Sequence, residues 1–119
     1  MCIHFDTMKC HLLKNGIIEI VFELPNGNVL FFNGGGVKVL DKSEKRTKHW
    51  DDIKLSGTIV SILEKDGQFF FKLSNKEVIK VFFFPDDEYP NGVAQTIHIL
   101  REDYITLEEP NIIEISALS

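Results

Sequence analysis

Cysteine is scarce in this chain: Cys2 and Cys10 are the two among 119 residues, and both fall in the first ten. A bridge between them would close only a short loop and stabilise little, so a fold built on disulfides is excluded and both are read as reduced thiols. Long apolar runs are missing as well. Nothing approaches the ~20 consecutive apolar residues of a membrane helix. The start, Met1-Cys2-Ile3-His4-Phe5-Asp6, lacks the basic and then apolar pattern of a secretory signal. The expected location is the cytoplasm, with no membrane partner.

Catalytic signatures are also wanting: the chain has no Gly-x-Ser-x-Gly, no His-Glu-x-x-His and no Cys-x-x-Cys. His98, between Ile97 and Ile99, could act as a general base, but no nucleophile is identifiable beside it in sequence. Asp51-Asp52 and Asp86-Asp87 are adjacent acids of a kind common in loops. Cys2, His4, Cys10 and His11 are four potential zinc ligands, but the neighbours Cys10 and His11 would point apart on a strand. Asn33-Gly34-Gly35-Gly36 is followed by Val37-Lys38-Val39-Leu40, more strand, with no helix and no P-loop lysine. A strand bend or bulge is the expected use of those glycines. The chain is therefore expected not to be an enzyme, with no cofactor and no metal.

What the chain does have is β-pattern. Apolar residues make up 44% and charged residues 26%, ordinary for a single globular domain, here expected to span residues 1–119. The central stretch, Lys54 to Phe84, holds six of the ten phenylalanines. In it, Gln68 to Ser74 alternates with period two, placing Phe69, Phe71 and Leu73 on one face and Gln68, Phe70 and Lys72 on the other. Asp66-Gly67 before it supplies hairpin-turn chemistry, which pairs Thr58 to Leu63 antiparallel with it. Ser74-Asn75-Lys76-Glu77 is a second break. Val78 to Phe84 then runs apolar on both faces, with only Lys80 interrupting, so the strand is covered on both sides or one face docks onto something else.

Elsewhere, Ile18, Ile20, Phe22 and Leu24 share one face, with Glu19 and Glu23 on the wet side. Asn26-Gly27 marks a hairpin to Val29–Asn33. Met1 to Asn15 reads as a strand or extended arm, 85–95 as a long exposed loop, and Gln95–Leu100, Tyr104–Leu107 and Ile112–Ala117 as short strands. The expected fold is all-β and mainly antiparallel, a sandwich or bent barrel-like sheet of about 8–9 short strands. One short helix could be accommodated near 42–50, in a polar stretch (41–53) whose conformation the pattern leaves open.

The net charge of −5 is uneven: residues 1–50 carry seven Lys and Arg against five Asp and Glu, and residues 51–119 six against thirteen. Asp86, Asp87, Glu88, Glu102 and Asp103 are expected to meet on one acidic rim around Tyr89, with Trp50 as a further aromatic anchor. Such a rim repels nucleic acid and attracts a basic protein. In size, acidity and stand-alone architecture the chain resembles the immunity proteins of bacterial toxin systems, including those of contact-dependent growth inhibition. The resemblance implies an inhibitor that blocks a basic toxin domain or enzyme, such as a nuclease. It carries no motif, so no residue role comes with it. The alternatives are a small-ligand or carbohydrate-binding β-domain and a structural interaction subunit. What Phe70, Phe82 and Phe84 line discriminates among them.

Overall fold

Turn chemistry sets the framework. In a computed structural model of the chain, residues 5–13, 16–41, 50–94 and 98–114 are described. The described residues form nine strands: β1 (Phe5–Leu13), β2 (Gly16–Glu23), β3 (Val29–Asn33), β4 (Gly36–Leu40), β5 (Asp51–Lys65), β6 (Gln68–Leu73), β7 (Glu77–Phe82), β8 (His98–Arg101) and β9 (Asn111–Ile113). Asp66 and Gly67 hold φ of 51° and 80°, the two left-handed residues of a twist-matched hairpin turn between β5 and β6. Between β2 and β3, Gly27 takes φ 90° and its N–H donates to Leu24 O at 2.9 Å. Every strand pair is antiparallel, in the order β4-β3-β2-β1-β5-β6-β7-β8. β9 adds to β5 at 62–64, beyond the stretch that β1 occupies. The all-β, antiparallel expectation holds. The sheet bends on itself without closing into a barrel; among the described residues β4 and β8 end the strand order, and β9 pairs with β5 alone.

β5 makes the bend. Its first part pairs with β1 and its last part with β6, and Leu55–Thr58 face only Asp6 across the ladder. Such extra residues coil a strand and let it pass from one layer to the other. A Cβ on Gly57 would stand 2.9 Å from Ser74 Oγ, so the corner presses on the β6–β7 turn. There Ser56 Oγ donates to Glu77 Oε2 at 2.8 Å and Asn75 Nδ2 donates to Ser56 Oγ at 3.0 Å. The two halves then face each other across a phenylalanine core. Phe32 meets Phe69 and Phe71 with ring centroids 5.1 and 5.3 Å apart, and Phe22 meets Phe71 at 5.6 Å. At one end Ala94 bridges to Ile17 and Val93 to Phe84, tying β2 to the end of β7.

Several local expectations are corrected. His11 faces Glu19 and Leu12 faces Ile17, so Ile18 is a bulge residue. Ile17 rather than Ile18 joins Ile20, Phe22 and Leu24 in the core, and Glu19 is buried instead of wet. Asn33–Gly36 closes the β3–β4 hairpin rather than bending one strand, and Asn33 Oδ1 accepts from Gly35 N at 2.8 Å. Gly34 is needed for close approach: a Cβ there would lie 1.7 Å from Asn91 O. The loop after Pro85 is exposed only in part, because Gly92, Val93 and Ala94 are buried. In place of a strand at Tyr104–Leu107 there is a 3-10 turn, Glu102–Tyr104, followed by irregular chain. The helix allowed near 42–50 falls mostly on 42–49, outside the described residues. The same holds for residues 95–97 and for the expected strand beyond Glu114. No helix among the described residues is long and apolar enough to cross a membrane.

Candidate functional site

The outer face of β6, β7 and β8 carries the side chains that point away from the core. Strand register sets Phe70, Lys80 and His98 in one row across the three strands, with Lys72, Val78 and Leu100 in another and Gln68 beside Phe82 in a third. One part of this face is covered. Ile105, Leu107 and Pro110 stand with Leu63, Phe70 and Val78 around a groove of about 270 Å³, and Phe70 and Val78 are buried.

The rest is open. Phe82 and Phe84 pack edge to face at 4.5 Å and wall a groove of about 140 Å³ with Gln68, Lys80 and His98. Gln68 and Lys80 continue into a shallower groove with Leu100 and Tyr104. Phe84 is 50% exposed, Leu100 37% and Tyr104 79%. Three large apolar side chains of this face are thus exposed to water. Sequence reasoning missed Leu100 and Tyr104. Its one usable clue was the apolar run on both faces of Val78 to Phe84.

The anticipated site residues do not form a single rim. Asp86, Asp87 and Glu88 follow the end of β7, and all three are exposed, with Asp86 Oδ1 accepting from Glu88 N at 2.9 Å. Glu102 and Asp103 follow the end of β8 instead, and Glu102 N donates to Lys76 O at 2.9 Å, before the start of β7. Antiparallel neighbours emerge at opposite ends of a sheet. The two acidic segments therefore flank the open face at a separation on the order of 25 Å, the length of β7 with its extension. Glu102 is held by Lys72 at 2.7 Å and Asp103 by Arg101 at 3.4 Å. Tyr89 is half-buried, and its carbonyl accepts from Gly92 N at 2.8 Å. Trp50 lies apart, at the start of β5, half-buried and edge-on to His11 at 5.9 Å.

At the centre of the face the sign is reversed. Lys80 makes no ion pair with the described residues, and it stands between Phe70 and His98. The face therefore reads as an apolar strip with a cationic centre and acidic ends. Elsewhere, burial pushes the Cys10 thiol up to about 12, with the Asp51 carboxylate adding to the shift, so the group stays a protonated, inert core residue. Its neighbour His11 lies on the other face of β1, and Cys2 and His4 fall outside the described residues. Among the described residues no three His, Cys, Asp or Glu side chains group as metal ligands.

No family model matches the chain, and no curated protein or solved structure matches it significantly.

Proposed function

We propose that the protein is a protein-binding module of the immunity or inhibitor kind, which holds a basic partner, a toxin domain or another enzyme, against the outer face of β6–β8. The observation that carries this reading is the open patch of Phe84, Leu100 and Tyr104, set between two acidic segments on a face whose other half is covered. Aromatic side chains at the centre of an interface supply most of its binding energy, and charges at its margin govern the rate of encounter. Lys80, in the groove floor, sets the one position where the partner must bring an acceptor; a partner lacking it would leave a desolvated cation. Phe84 and Tyr104 thus take the anchoring role first expected of Tyr89 and Trp50.

The test is binding kinetics with a partner recovered by affinity capture. Reversing Asp86, Asp87 and Glu88 to Lys is expected to slow association and flatten its salt dependence. Phe84→Ala is expected to speed dissociation by about 30-fold, equivalent to ~2 kcal/mol. If folded variants of both kinds leave both rates unchanged, the face is not the interface.

A second reading rests on the groove walled by Phe82 and Phe84, where Gln68, Lys80 and His98 converge as a small-ligand site would require. Saturable shifts of the Phe84 and His98 NMR signals by a mono- or disaccharide, with no protein partner present, would favour it.

A further inference from the structure

Among the described residues β8 ends the sheet and pairs with β7 alone. Its register sets Arg101 opposite Glu77, Leu100 opposite Val78, Ile99 opposite Ile79 and His98 opposite Lys80. Glu102 opposite Lys76 is the next pair in this register, and there the Glu102 N–H donates to Lys76 O at 2.9 Å. Hydrogen-bonded and non-hydrogen-bonded pairs alternate along an antiparallel ladder. Leu100 and His98 therefore direct their N–H and C=O groups to β7, while those of Ile99 and Arg101 point away from it. The free edge offers donor and acceptor groups at two positions, with Ile99 60% exposed between His98 and Leu100.

The other terminal strand is guarded differently. β4 carries the exposed Lys38 at its centre, a common device against edge-to-edge pairing. β8 has Ile99-Leu100 at its centre, and its one strong cation, Arg101, is tethered to Asp103 at 3.4 Å.

We infer that the β8 edge pairs antiparallel with the same edge of a second copy of this chain, joining two sheets into one. In the register that does this, Ile99 lies opposite the partner's Arg101, and Arg101 opposite the partner's Ile99. All the outward N–H and C=O groups of these residues are then satisfied across a two-fold axis. Leu100 meets the partner's Leu100 on the axis, and His98 lies opposite the partner's Glu102. The alternatives two residues away are worse. One sets Arg101 against the partner's Arg101, a like-charge pair. The other places Ile99 alone on the axis and takes Arg101 out of the pairing within β8. Self-complementarity of hydrogen bonding, with no like-charge pair, in a single register is the argument for a second copy over a foreign strand. The axis is perpendicular to the sheet, so the outer faces of both protomers lie side by side. The inference stands independently of the proposed partner.

A pairing of four-residue strands buries less than the ~1,000 Å² of a stable interface, so the dimer is weak, with dissociation on the order of 100 µM. Sedimentation equilibrium from about 10 µM to about 1 mM is expected to pass from monomer to dimer. Over the same range, exchange of the Ile99 and Arg101 amides in the unaltered protein is expected to slow several-fold, with the Val78 and Lys80 amides as an internal reference. Ile99→Pro removes an outward N–H without touching the β7 ladder, a position where an edge strand tolerates proline. It and Leu100→Lys are expected to remain monomeric throughout. A monomer at the highest concentration with unprotected Ile99 and Arg101 amides overturns the inference. So does a dimer that persists in both folded variants, or protection of those amides only when an unrelated extended peptide is added.

Discussion

The two faces of β6 and β7 are built from the same residue type and meet opposite ends. Phe69, Phe71 and Phe83 point inward and are buried. Phe70, Phe82 and Phe84 point outward, and of these only Phe70 is buried, while Phe84 stands half in water. Alternation assigns each ring to a face, but it does not cover the face. Phe22 and Phe32, some 40 residues upstream, cover the inner one. On the outer one, Ile105, Leu107 and Pro110 arrive over Phe70, and Ile105 and Leu107 reach the shallower groove beside Lys80 and Leu100 but leave Phe84 exposed. Hydrophobicity along a strand is thus evidence that something covers it, and among the described residues the outer face is covered only in part.

Truncation breaks or sharpens that comparison most directly. Phe71→Ala is expected to cost about 3–5 kcal/mol of stability, since the cavity opens where three rings meet. Phe70→Ala should fall between that and Phe84→Ala, which gives up only the packing on Phe82 and is expected to cost about 1 kcal/mol. Urea unfolding of the three variants decides it, and a Phe84→Ala loss as large as that of Phe71→Ala would mean that the outer face is packed after all.

Next in size is Gly34→Ala. Its methyl group would enter the space of the Asn91 carbonyl, and the backbone shift is expected to cost about 1–3 kcal/mol, again by urea unfolding. A neutral result would show that the β3–β4 hairpin tip does not dock on the 85–92 loop.

Smallest is Glu64, at the margin between the faces. Hydrogen bonds from Asn111 Nδ2 at 2.6 Å and Gly67 N at 3.1 Å hold its carboxyl below the usual value of 4.5. A carboxyl depressed in the folded state adds stability above its unfolded value and loses it as pH falls through the folded one. The difference in melting temperature between the protein and Glu64→Gln is therefore expected at neutral pH and should vanish in acid. An unchanged gap at low pH would remove the ionised carboxylate from the account of how β9 is held.

The sequence by itself determined what is local. Period two in Gln68 to Ser74 fixed which rings share a face, and Asp66-Gly67 fixed a hairpin, because few other residues adopt positive φ at both turn positions. The strand content and the antiparallel class followed from the same short-range physics. Tertiary structure decided whatever depends on a neighbour distant in the chain. The bulge at Ile18 turns Ile17 inward and buries Glu19, although the alternation reads equally well without it. The bend of β5 at 55–58 answers to Asp6 and Ser74. The acidic residues look contiguous in composition, yet the antiparallel return of β8 sends Glu102 and Asp103 to the end opposite Asp86, Asp87 and Glu88. Strand direction, which no short window of residues encodes, places those charges on either side of an apolar strip instead of around a single rim.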